Sequence, residues 1–109
     1  MGTNYYAVAP PGKRVYLGKS SVGWQFLLKA DREWKPEEAF GLWLERVHSA
    51  YLIVNEYGAE VTASELIQYV CQKQNEAISH TEYIREHYPS YVDDFWDDDG
   101  FNFTSGEFS

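Results

Sequence analysis

Apolar and polar positions change period twice along this chain. Val15 and Leu17 alternate with polar neighbours, as do Trp24, Phe26 and Leu28, the period of two that marks a strand with one buried face. Tyr5 to Ala9 reads as a further short strand, ended by Pro10-Pro11-Gly12 because neither proline can donate to a ladder. With Gly18, Ser20, Ser21 and Gly23 between them, these segments make a hairpin-rich N-terminal third. The period then changes to that of a helix. Phe40, Trp43, Leu44, Val47 and Tyr51 recur at spacings of three and four, after Pro36, which suits a first helical position, and Glu37 and Glu38, which complement the helix dipole. Leu52 to Asn55 reads as a strand, Glu56-Tyr57-Gly58 as a turn, and Glu60-Val61 as a short return strand.

A second helix announces itself locally. Thr62-Ala63-Ser64-Glu65 has the form of a capping box, with Val61 and Leu66 placed as a hydrophobic staple, so a helix is expected to begin at Ala63. Its buried face is expected to be Leu66, Ile67, Val70, Cys71, Gln74, Ala77 and Ile78, with Gln68, Gln72, Lys73 and Glu76 in water. Thr81 to Glu86 adds a helical turn that Tyr88-Pro89 must end. Phe95-Trp96 and Phe101-Asn102-Phe103 then flank Asp97 to Gly100, the grammar of a hairpin around an Asp-Gly turn. The pattern predicts one α+β domain: a small antiparallel sheet of short strands with two main helices packed on one face, and the termini joining the sheet.

Charge changes this picture at one end. The first 79 residues hold nine acids and eight bases, whereas His80 to Ser109 hold eight acids and one Arg, so nearly all of the net charge of −8 lies in the last thirty residues. Those acids are interleaved with Tyr83, Tyr88, Tyr91, Phe95, Trp96, Phe101, Phe103 and Phe108. A disordered acidic tail is poor in aromatics because it has too little apolar area to offset chain entropy, so this segment is expected to be ordered. Acidic balance argues against direct contact with nucleic acid or an anionic membrane, both of which need clustered Lys and Arg. It favours a protein partner with a basic surface, and the candidate contact residues are Asp93, Asp94, Trp96, Asp97, Asp98, Asp99 and Phe101.

Candidate chemistry is sparse. Cys71 is the one cysteine, so no internal disulfide forms, and with neither a secretory pattern nor a membrane-length apolar run the expected location is cytoplasmic. Gly18-Lys19-Ser20 invites comparison with a phosphate-binding loop, but Lys13 stands where the first glycine of that motif belongs and a strand follows where a helix is needed. A more modest ligand site, of a kind that would take a nucleotide, could be built from Tyr5, Tyr6, Lys19, Ser20, Ser21 and Trp24. The Asp run fails as a calcium loop, since placing Gly100 sixth puts Phe95 first and Gly106 twelfth. His48, His80 and His87 do not share metal-ligand spacing, and no catalytic constellation stands out, so a non-enzymatic protein without metal or cofactor is expected.

Four segments carry a resemblance: Met1-Gly2-Thr3-Asn4-Tyr5-Tyr6, the run Leu17-Gly18-Lys19-Ser20-Ser21-Val22-Gly23-Trp24-Gln25-Phe26, the Asn55-Glu56-Tyr57-Gly58 turn, and the ending from Asp99-Gly100 to Glu107-Phe108-Ser109. Together they resemble a family of small bacteriophage and prophage proteins. The resemblance implies a viral origin, action in a bacterial host cytoplasm, and binding to a host protein, including components of host defence. Members of that family often carry cysteine pairs after the opening motif, which implies a zinc knuckle. This chain has Ala9-Pro10-Pro11-Gly12-Lys13 there instead.

Overall fold

A computed structural model of the protein describes residues 2–91 and 93–106. Phe108, Met1 and the closing Glu107-Phe108-Ser109 of the motifs above lie outside the described residues. In chain order the strands are β1 (Gly2–Ala9), β2 (Lys13–Ser21), β3 (Leu27–Lys29), β4 (Leu52–Asn55), β5 (Glu60–Val61), β6 (Asp94–Trp96) and β7 (Asn102–Thr104). The helices are α1 (Ala39–Ser49), α2 (Ala63–Lys73) and α3 (His80–His87). All seven strands join one sheet in the order β5-β4-β1-β2-β3-β7-β6. Every pairing is antiparallel except β3 with β7, which run parallel with Leu28 opposite Phe103.

The α+β class expected from the sequence is therefore present, with a larger sheet and a third helix. Helices α1 and α2 supply Ala39, Trp43, Val47, Leu66 and Val70 to a core shared with Ala7, Leu17, Phe26, Leu28, Ile53 and Phe103 of the sheet. Helix α3 does not share that face. Phe103 belongs to the core, whereas the adjacent Asn102 accepts hydrogen bonds from Ser79 Oγ (2.5 Å) and the Thr81 backbone N–H (3.1 Å), so α3 packs on the reverse side of β6 and β7.

A bulge sets the centre of the sheet. Tyr5 pairs with Gly18 and Tyr6 with Tyr16, which leaves Leu17 as an extra residue that turns fully into the core. Its carbonyl accepts a hydrogen bond from the Trp43 indole at 2.9 Å, tying α1 to the kink. Gly18 is required beside it: φ is +152°, and a Cβ there would stand 2.4 Å from the Leu27 carbonyl oxygen and 2.6 Å from the Phe26 ring.

Several local expectations change. The strand predicted over Trp24–Leu28 begins at Leu27, because Trp24 turns aside to form an isolated parallel bridge with Ile78. Around Pro36 the chain makes a turn, and α1 starts at Ala39 behind Glu38, whose carboxylate accepts the Lys35 N–H at 2.9 Å. Tyr51 lies beyond the end of α1 and is exposed. Helix α2 ends at Lys73, so its buried stripe is Leu66, Val70 and Lys73; Cys71, Ala77 and Ile78, expected inside, are exposed. Lys73, expected in water, lays its stem against the protein and donates its ammonium to the Ser21 carbonyl at 2.8 Å.

Candidate functional site

The β6–β7 hairpin carries the acidic residues singled out above, and most of them have structural work. Asp97 Oδ1 accepts the backbone N–H of Asp99 (3.0 Å) and of Phe101 (2.7 Å), while the Gly100 N–H returns to the Asp97 carbonyl with Gly100 at φ +86°. This side chain replaces backbone partners in the turn. Burial pushes the Asp97 carboxyl above the ordinary carboxylate range, against the pull of those two N–H donors. Phe101 is buried and stacks on Phe40 with ring centroids 4.3 Å apart.

Asp94 is buried too. Its Oδ2 lies 2.7 Å from His80 Nδ1, the first residue of α3. Trp96 donates its indole N–H to Ser79 Oγ at 3.2 Å and carries the Arg85 guanidinium 4.6 Å above its ring. Asp93 faces Arg32 at 3.4 Å. Asp98 and Asp99 remain exposed and make no ion pair among the described residues.

The fold adds two acids that sequence reasoning assigned elsewhere. The Asp98 N–H points to the Pro36 carbonyl at 3.4 Å, and the Phe40–Phe101 stack clamps the same two turns together. Glu37 and Glu38, both exposed, thereby lie on a turn adjoining the one that carries Asp98 and Asp99, also exposed. In the sequence these acids signalled only a helix start. Their convergence depends on an aromatic contact between residues sixty-one positions apart, which no local pattern reveals.

The six residues of the ligand reading do not converge. Tyr5 and Tyr6 are neighbours on β1 and point to opposite faces. Tyr5 joins Phe26 and Tyr69 on the core side, where burial first and Tyr69 second push its phenol above the ordinary value. Ser20 is buried there as well, 2.6 Å from the Tyr69 hydroxyl, and the Ser21 carbonyl is the acceptor for Lys73. On the other face Tyr6 packs against Tyr16 and lies under Arg14, with Lys19 on the adjacent strand. Tyr16 donates to Asn4 Oδ1, and burial drives its phenol well above the usual range, helped by Tyr6 and Glu56.

Trp24 belongs to a different neighbourhood. Its ring lies 5.8 Å from His80 and 5.3 Å, edge-on, from Tyr83, and Tyr83 in turn stacks on His87 at 4.1 Å. Beside these rings Ala77, Ile78, Ser79, Glu82, Tyr83 and Glu86 line a shallow cleft of about 160 Å³. That is below the range of ordinary small-molecule sites, roughly 300 Å³ and above.

Among the described residues no three His, Cys, Asp or Glu side chains are arranged to hold a metal ion, and no helix is long and apolar enough to cross a membrane. Comparison of the chain with protein-family models, with curated proteins and with solved structures found no match.

Proposed function

We propose that this chain is a non-enzymatic accessory protein of phage origin that binds a basic surface on a host protein in the bacterial cytoplasm and modulates it, as an inhibitor of host defence would. One observation carries the reading: folding gathers Glu37, Glu38, Asp98 and Asp99, exposed and without ion pairs among the described residues, into one acidic pole. Four like charges held on two adjoining turns repel one another, a cost that disappears when a complementary basic surface covers them. Within the hairpin, Asp97 and Phe101 shape the turn, Asp94 and Trp96 fasten α3, and Asp98 and Asp99 make the contact.

The test uses tagged protein expressed in a bacterial host and purified at low salt. The reading expects a host protein that is retained by the wild type, released by raising salt, and absent when Glu37, Glu38, Asp98 and Asp99 are all changed to their amides. Identical retention by that variant would refute it.

A further inference from the structure

Helix α3 carries its charges in an arrangement that its own stability does not explain. Arg85 is occupied over the Trp96 ring and His80 faces Asp94, so both look toward the sheet. The outer side carries Glu82 and Glu86, one turn apart, exposed, and without an ion pair among the described residues, together with His87, which stacks on Tyr83. Like charges at this spacing destabilise a helix. Glu82 has a compensating position in the first turn, but Glu86 sits in the last turn, where the helix dipole also opposes a carboxylate. A cation held between them would relieve both penalties.

The surface next to these acids is apolar and aromatic. The Trp24 N–H closes a turn onto the Ser21 carbonyl, which leaves Val22 at the tip with 89% of its surface exposed. Gly23 supplies the positive φ, +82°, so the turn itself makes no demand for an apolar Val22. The Ile78 N–H bonds to the Gly23 carbonyl and the Gln25 N–H to the Ile78 carbonyl, holding Ile78, also exposed, alongside this loop. Tyr83 and Trp24 complete the face, and the cleft between Ile78, Tyr83, Glu82 and Glu86 has the size of one side chain.

We propose that this cleft is an anchor site for a basic side chain, Arg or Lys, of a protein segment whose neighbouring apolar residue rests on Val22, Trp24 and Ile78. A guanidinium or ammonium would lie beside Tyr83, whose ring stacks on His87, with Glu82 and Glu86 as counter-charges. The site shares with the proposed function its basic partner, and it is separable from the acidic pole because none of its residues belongs to that pole.

The probe is a short synthetic peptide alternating leucine and arginine, compared with a counterpart in which citrulline keeps the shape of arginine without its charge. Binding to the full chain is followed by amide chemical shifts and calorimetry. The proposal expects shifts centred on Trp24, Ile78 and Tyr83, and affinity about tenfold weaker for the citrulline peptide or for Tyr83→Ala, with Tyr83→Phe restoring it. Glu82→Gln with Glu86→Gln should flatten the salt dependence, and Val22→Ser, on an exposed turn that tolerates it, should weaken binding without loss of fold. Equal affinity for the arginine and citrulline peptides would overturn the proposal. So would shifts confined to Glu37, Glu38, Asp98 and Asp99, which would support the acidic pole alone, or a Val22-dependent dimer in sedimentation, which would assign the face to a second copy of this chain.

Discussion

Asp97 and Glu65 are both acids that accept backbone hydrogen bonds at a chain reversal, and they respond to pH in opposite directions. The Thr62 backbone N–H, then its hydroxyl, lowers the pKa of exposed Glu65, so its contribution is present above the ordinary carboxylate pKa and is lost as pH falls through the depressed one. Burial raises that of Asp97, so the folded state binds its proton more tightly than the unfolded chain does. Its contribution is full below the ordinary pKa and is lost as pH rises through the elevated one. Asp97→Asn retains an acceptor for the Asp99 and Phe101 N–H groups and should remove this decline from a melting-temperature profile across the acidic range. Asp97→Ala leaves both donors unanswered and should cost about 1–3 kcal/mol at every pH. A profile for Asp97→Asn with the wild-type slope would show that burial does not govern this carboxyl.

Among the elements, those read most closely from the sequence are the ones whose signals are local. Thr62 and Glu65 exchange both hydrogen bonds of a capping box, and α2 begins at Ala63 as the four-residue motif requires. Thr62→Ala should destabilise the protein by roughly 1 kcal/mol, read by chemical denaturation. The β4–β5 turn and the Asp97–Gly100 turn were legible for the same reason, each resting on a glycine with positive φ within a few residues of its partner strand. Where an element stops was less legible. The apolar pattern of α2 continues to Ile78, but the helix ends at Lys73 because Ile78 is drawn into the bridge with Trp24, a residue from another third of the chain. The bulge at Leu17 likewise needs partners distant in sequence, the Trp43 indole on its carbonyl and the Phe26 ring against the adjacent Gly18. Gly18→Ala, placing a methyl against the Leu27 carbonyl and the Phe26 ring, should cost about 1–3 kcal/mol or more, and a neutral result would remove the packing argument for that glycine.

At the scale of the molecule, the described residues of the C-terminal segment are part of the fold. Strand β7 runs parallel to β3 and its Phe103 belongs to the core, while β6 forms the outer edge of the sheet. The acidic, aromatic composition therefore divides by side-chain position: Phe95, Phe101 and Phe103 pack inward, Asp94 and Asp97 serve buried hydrogen bonds, and the remaining exposed acids face outward. Composition alone identified an acidic end, whereas its membership depends on the Phe40–Phe101 contact that carries Glu37 and Glu38 to the hairpin turn. Whether these two turns act as one surface is tested by measuring how affinity for a host protein retained in the proposed purification varies with salt. Wild type is compared with Glu37→Gln/Glu38→Gln and with Asp98→Asn/Asp99→Asn. If the pole is a single contact, each pair of substitutions lowers the slope of log affinity against log salt by a similar amount, and combining the pairs lowers it further. A slope that responds to Asp98 and Asp99 but not to Glu37 and Glu38, or to neither pair, would show that the two turns do not form one contact surface.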